Sequence, residues 1–145
     1  MSLLNYTTSI KAAKTANEVQ AILVKGGARQ IMSVFDDDGQ VSALSFSVMT
    51  QLGMRGFTLP VDWLPVLSIL NKDPRVPGHK KNNEHARNVA WRIMKDWIEA
   101  QMALVETGMV TFDQVMLPYM RSVEGATFYD EYLAGHGSQP ALGAG

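Results

Sequence analysis

The chain has 145 residues, of which 46% are hydrophobic and 19% charged, with a formal net charge of -1 and no cysteine. This size and composition are typical of one globular domain with its own core, and they argue against a disordered or fibrous chain. The near-neutral charge argues against a nucleic-acid coat or a membrane-surface protein, and the lack of cysteine excludes disulfides, thiolate metal sites and cysteine nucleophiles.

The ends of the chain give no targeting or membrane signal. Residues 1–14 mix polar side chains with two lysines instead of forming the apolar core of a signal peptide. No segment has the roughly 18 unbroken apolar residues that a bilayer span requires. We therefore expect a cytoplasmic protein without a membrane partner, with residues 1–133 forming a single domain and residues 134–145 a disordered tail.

The first predicted element is a short helix from about Ala16 to Lys25. Thr15 and Glu18 have the spacing of a capping box, in which the two side chains satisfy free backbone N–H groups at a helix start. The glycine pair at 26–27 supplies the stop.

A three-stranded antiparallel meander is predicted next. Residues 29–35 form an apolar run, residues 43–48 alternate between apolar and small polar side chains, and residues 57–61 alternate again. The Asp38-Gly39 pair is typical of a hairpin turn between the first two strands. Such a turn also explains the acidic run 36–38 more simply than a divalent-cation site does.

The second half of the chain is predicted to be helical. Asp62 stands as the N-cap of a short helix ending near Asn71, and residues 72–83 form an exposed, mobile loop. A long helix runs from about Glu84 to Thr107, and the capping-box spacing at 111–114 opens a short last helix that Pro118 shortens. The sequence therefore predicts an α+β fold.

The long helix carries an unusually wide apolar stripe. Its centre is predicted to face the core through Val89, Ile93, Trp97, Ala100 and Leu104. Further apolar residues widen this stripe, which favours burial against both the sheet and a second helix or subunit.

The segment ARNVAWRIMKDWIEAQMALV (86–105), with GMV (108–110) and VMLPYM (115–120), resembles a family of short proteins encoded by bacteriophages and prophages. The run FTLPV (57–61) resembles the middle region of the same family. The resemblance covers about residues 15–120 and carries no established activity or catalytic residues. It implies a phage accessory protein acting in the cytoplasm of a bacterial host.

Positive charge is concentrated in one part of the chain. Residues 72–95 hold seven of the 13 Lys and Arg and only two acidic residues, an excess of five positive charges. A basic loop that leads into a helix N-terminus places lysine charges beside free backbone N–H groups, which together bind anions. A solvated loop, whose lysines only maintain solubility, explains the same charges.

Trp91 is the candidate stacking surface for a nucleotide base. If the long helix buries the stripe through Val89 and Ile93, then Trp91 lies on the other side, with Arg87 and Lys95 four residues to either side. Such a face stacks a base while holding its phosphate. The alternative is that Trp91 packs at a contact between subunits of a homo-oligomer.

No catalytic or metal-binding constellation stands out. His79 and His85 lie six residues apart across a loop, without a cysteine or third histidine nearby, so we predict no metal site and no cofactor. Isolated serines have no histidine partner that spacing could establish.

The working hypothesis is a non-catalytic protein, forming homo-oligomers, that binds a phosphate-bearing small molecule or single-stranded nucleic acid. The alternative hypothesis is a protein-interaction module that inhibits a host enzyme. The predicted ligand-binding residues are Lys80, Lys81, His85, Arg87, Trp91 and Lys95.

Overall fold

The computed structural model describes residues 3–135 and confirms the α+β fold, with a three-stranded sheet among five α-helices. The strands are β1 (Ala28–Phe35), β2 (Val41–Thr50) and β3 (Gly53–Pro60). The helices are α1 (Ala12–Lys25), α2 (Leu64–Lys72), α3 (Asn83–Glu106), α4 (Phe112–Met116) and α5 (Phe128–Ala134). Two 3₁₀ turns lie at Gly78–Lys80 and Leu117–Tyr119.

The sheet is the predicted antiparallel meander in the order β1-β2-β3. Phe46 of β2 lies opposite Ile31 on one side and opposite Phe57 on the other. The alternation in β2 buries Leu44, Phe46 and Val48 on the inner face, which α1 covers. The other face of the sheet carries the small polar residues of the same strand.

The loop between β1 and β2 is longer than the predicted two-residue turn. It spans residues 36–40, and within it only Gly39 has a positive φ, of 75°. The Asp36 carboxylate accepts hydrogen bonds from the backbone N–H groups of Asp38 (2.9 Å) and Gln40 (3.0 Å). The acidic run is therefore explained as a turn.

Helix α1 begins four residues before the predicted start. Thr15 is fully buried inside the helix and Glu18 pairs with Arg92, so the predicted capping box is wrong. Lys11, the residue before α1, makes no side-chain cap bond. The first backbone N–H, that of Ala12, donates instead to the side chain of Asn88 in α3 at 2.8 Å. A tertiary contact thus fixes the start of this helix.

Helix α2 ends at Lys72, one residue past the prediction, and its N-cap is Trp63 and not the predicted Asp62. The Asp62 carboxylate nevertheless accepts a hydrogen bond from the N–H of Leu64 at 3.1 Å. The loop that follows is more structured than predicted. Val76 is only 4% exposed and packs with Leu70 and Ala86 in a small second core. Val76 therefore holds the predicted exposed loop against the second core.

The buried side of α3 differs from the predicted stripe. Val89 is fully buried, but Ile93, Trp97 and Leu104 are only partly buried and Ala100 is exposed. Burial instead falls on His85, Ala86, Asn88, Val89, Ala90, Trp91, Ile98 and Met102. Helix α3 packs mainly against two helices, α1 and α2, and Trp91 reaches the sheet at Val41, whereas the wide stripe predicted burial against the sheet and a second helix or subunit.

The C-terminal segment closes the core and then extends past it. The ring of Phe112 packs edge-on against those of Phe46 (6.1 Å) and Phe57 (5.5 Å). The predicted capping box at Thr111 and Gln114 is confirmed. Ala134, predicted to begin the tail, ends α5, and residues 136–145 of that predicted tail lie outside the described residues.

Across residues 3–135, no helix combines the length and the apolar character needed to cross a membrane.

Candidate functional site

A polar groove lies where the chain before α1 passes the start of α3. Its volume is about 260 Å³. It is lined by Thr8, Ser9, Lys11, His79, Lys80, Asn82, Glu84, His85 and Asn88. The Asn82 carboxamide holds this end of α3, because its oxygen accepts from the N–H of His85 (2.8 Å) and its nitrogen donates to the carbonyl of His79 (2.8 Å).

A second cavity continues the groove toward the start of α1. It measures about 390 Å³ and is lined by Lys11, Ala12, Ala13, Gln40, Glu84, Arg87 and Asn88. The two cavities share Lys11, Glu84 and Asn88, so they form one surface, which we call the polar groove. The first turns of two helices line it, and first-turn N–H groups favour negative charge.

An ion pair between Lys11 and Glu84 crosses the middle of the polar groove. Both side chains are largely exposed, so the contribution of this pair to stability is small. The hydrogen bond from Lys11 and its charge lower the pKa of the Glu84 carboxyl. Glu84 thus places a negative charge where an anionic ligand would compete for Lys11.

Lys80 lines the polar groove and Lys81 follows it in the chain, both partly buried. Among residues 3–135, neither has an acidic side chain within ion-pair distance. Two lysines beside a helix start, with no acidic residue neutralising them, have the charge that a phosphate group requires.

His85 also lines the polar groove, but its ring is already engaged. It is 8% exposed, and Nε2 donates to the backbone carbonyl of Tyr6 at 2.6 Å. This bond ties the N-terminal segment to α3. His85 therefore shapes the wall of the groove more than it offers a free donor.

Arg87 lines the second cavity and also stabilises the fold through contacts with the β1–β2 loop and with Trp63. Its Nη2 lies 2.9 Å from the Asp38 carboxylate and 3.6 Å from that of Asp36, and its guanidinium lies 4.6 Å from the ring centre of Trp63. The side chain is only 11% exposed. Its charge is thus largely taken up by the β1–β2 loop.

Two further cations of α3, Arg92 and Lys95, are paired with acidic residues. Nη1 of Arg92 donates to the Glu18 carboxylate at 2.7 Å. Lys95 pairs with Glu99 and lies 3.9 Å from the same Glu18 carboxylate. Neither residue lines the polar groove. Both cations of the basic face predicted around Trp91, namely Arg87 and Lys95, are therefore paired with acidic residues.

The predicted exposed position of Trp91 is also wrong. Its side chain is 1% exposed in the main core, and Nε1 donates to the carbonyl of Val41 at 3.3 Å. The buried face of α3 is rotated about the helix axis relative to the prediction, so the Trp91 side chain lies in the core next to the sheet. It cannot stack a base or pack against another subunit in this conformation.

The structure also adds groove residues that no sequence pattern indicated. Thr8, Ser9 and Lys11 precede α1, whereas Asn88 lies in the second turn of α3, 76 residues from its partner Ala12. Only the packing of α1 against α3 brings them together. No group of three or more His, Asp or Glu able to hold a metal ion occurs in the described part of the chain.

Comparisons with protein-family models, with curated proteins and with solved structures gave no match. The resemblance to bacteriophage proteins stays a prediction.

Proposed function

We propose that this protein is a non-catalytic binding protein that holds a phosphate-bearing small molecule in the polar groove. The observation that carries the proposal is the position of Lys80 and Lys81, which lie at the start of α3 without acidic partners among residues 3–135. The hydroxyl groups of Thr8 and Ser9 add hydrogen-bond donors on the opposite wall.

A compact ligand fits this charge distribution better than a long nucleic-acid strand. Of the seven cations between residues 72 and 95, four are paired with acidic side chains: Arg75, Arg87, Arg92 and Lys95. A strand would need a continuous row of free cations to follow its phosphates. The free Lys80 in the groove, with Lys81 next to it in the chain, matches one or two phosphate groups instead.

The bacteriophage resemblance sets this ligand in an infected bacterial cytoplasm. A nucleotide that signals within the host's defence has the required phosphate and is our candidate ligand. In this role the protein would sequester the nucleotide without converting it.

The test replaces the groove residue Lys80 together with the adjacent Lys81 and compares this variant with the loss of two cations elsewhere. The variant K80A/K81A and the matched control K25A/R29A each remove two positive charges, the control at the exposed junction of α1 and β1. Inorganic phosphate, ATP and a cyclic dinucleotide are titrated by calorimetry. We expect loss of binding by about tenfold or more in K80A/K81A only, since each charge-assisted hydrogen bond contributes about 1.5–3 kcal/mol.

Equal affinity of K80A/K81A and the unaltered protein for every probe would contradict the proposed site. Titration of a single-stranded oligonucleotide over a salt series separates the two ligand classes. A linear fall of log affinity with log salt, steeper than for the mononucleotide, would favour the strand over the small molecule.

A further inference from the structure

The outer face of the sheet is uncovered and has an unusually small-residue centre. Ser45 and Ser47 of β2 lie on this face beside Gly56 and Thr58 of β3, and the hydroxyl groups of Ser45 and Thr58 are 3.0 Å apart. Ser45, Ser47 and Gly56 form the floor of a shallow concavity of about 290 Å³, and Thr58 continues this floor along β3. A shallow concavity with small side chains on its floor has room for large aromatic side chains.

Flexible apolar side chains surround this floor. Met32, Met49 and Met54 lie on the same face by strand alternation, and they are 62%, 60% and 45% exposed. Exposed methionines are typical of binding surfaces, because the unbranched thioether adapts to a partner. We call the four floor residues and the three methionines the outer sheet face.

One free cation lies at the border of the outer sheet face. Arg121 follows the bridge between Met120 and Phe57, and its Nη1 donates to the Thr58 hydroxyl at 2.8 Å. Within the described chain, no carboxylate lies within ion-pair distance of Arg121. A partner that covers this face therefore gains by supplying a negative charge.

Helix α5 is exposed, aromatic and acidic, which complements the small side chains and the free cation of the outer sheet face. Its large side chains face solvent: Tyr129 is 51% exposed, Tyr132 66% and Leu133 62%. The helix is properly formed, since Thr127 and Asp130 make a complete capping box, yet it packs mainly on the 3₁₀ turn at 117–119. Residues 122–135 contain three acidic residues and no Lys or Arg.

We propose that the protein forms a symmetric dimer in which α5 of each subunit packs on the outer sheet face of the other. The tyrosines of α5 would fill the small-residue floor, and Glu131 would pair with Arg121 of the other subunit. A second copy is the partner because one chain carries both complementary surfaces, acidic aromatic and basic small-residue. Such a two-fold contact closes after two subunits.

The test uses charge reversal on each side of the contact. The variants R121E and E131R each place like charges opposite one another at both contacts of a homodimer. We expect each to raise the dimer dissociation constant by about tenfold or more, measured by sedimentation equilibrium. Mixing the two variants restores both pairs, one with reversed charges and one unaltered. The mixture should therefore form a heterodimer of near-normal affinity.

Two additional variants distinguish loss of the proposed dimer contact from the effect of changing any exposed residue. Y132S removes an exposed aromatic ring from α5 and is expected to weaken the dimer, whereas M109E changes an equally exposed residue outside both surfaces and leaves it intact. Circular dichroism establishes that each variant is folded. A monomeric unaltered protein at about 100 μM, or a mixture that stays monomeric, would overturn the proposal.

Discussion

The carboxamide oxygen of Asn88 accepts a hydrogen bond from the backbone N–H of Ala12 at 2.8 Å, across 76 residues of sequence. Both residues are buried, at 6% exposure each. An N-cap side chain normally accepts a hydrogen bond from a free N–H group in the first turn of its own helix. Asn88 does this for α1 although it belongs to another helix. The same contact fixes where the N-terminal segment meets α3, and so it holds the two walls of the polar groove together.

Removing this side chain should loosen α1. N88A is expected to lower the free energy of unfolding by about 1–2 kcal/mol, the cost of a lost cap combined with an unpaired buried N–H group. Urea unfolding followed by circular dichroism measures the change. N88D keeps an acceptor oxygen at the same position and should retain most of the stability. Equal destabilisation by both variants would show that the amide nitrogen matters more than the cap.

Trp91 is expected to matter for stability and not for ligand binding. W91A should cost about 3–5 kcal/mol, the usual penalty for truncating a buried tryptophan. W91F is the informative variant, because it keeps an aromatic ring and loses the bond to Val41. We expect a smaller stability loss and unchanged affinity for phosphate ligands by calorimetry. A folded W91F protein that no longer binds nucleotide would show that Trp91 is part of the ligand-binding site.

Substitutions of Arg87 and Lys80 should affect stability differently, because Arg87 supports the fold and Lys80 is proposed to bind the ligand. R87A removes the bonds to the β1–β2 loop and the stacking on Trp63, so it should lose about 1.5–3 kcal/mol in urea unfolding. K80A removes an unpaired, partly buried charge and should change stability by about 0.5 kcal/mol at most. Similar losses in the two variants would mean that Lys80 has a structural partner.

The ion pair between Lys11 and Glu84 predicts a small acid dependence of stability. The lowered pKa of Glu84 means that this stabilisation is present above the unfolded-state pKa and is lost as pH falls through the folded-state value. Urea midpoints at pH 7 and in the acid range below 4.5, the ordinary value for this group, measure it. E84Q should show a smaller acid loss than the unaltered protein, and Asp73, whose pKa Arg75 lowers, contributes equally to both.

The same substitution should improve anion binding. E84Q removes a negative charge from the polar groove and frees Lys11 for the ligand. Because the pair is exposed, we expect only about a two- to fivefold gain in affinity for inorganic phosphate. Calorimetry at constant pH checks this. Weaker binding by E84Q would indicate that Glu84 contacts the ligand directly as an acceptor.

The sequence predicted the elements better than it predicted their faces. Strand β2 is identified by its alternation, and the capping box at Thr111 acts locally, so both predictions are confirmed. The predicted box at Thr15 has the same local spacing but lies inside α1. The difference is physical: a distant acceptor on Asn88 bonds the first N–H of a helix that starts earlier, and local spacing cannot reveal it.

The predicted ligand residues illustrate the same limit. Lys80 lies at the polar groove because position in the chain already placed it beside the start of α3. Lys95 and Trp91 were chosen from helical periodicity, which cannot decide which part of a wide apolar stripe is buried. Packing of α3 against α1 and the sheet chose the rotation that buries Trp91 and pairs Lys95 with acidic neighbours.

The sequence by itself determined the meander, the succession of helices and the concentration of basic residues after α2, because these depend on neighbours along the chain. Only the tertiary structure decided which of those charges stay free, since Asp38 and Glu18, distant in sequence, pair with Arg87 and Arg92. Ion pairing depends on distances in space, and residues far apart in sequence become neighbours only when the helices pack.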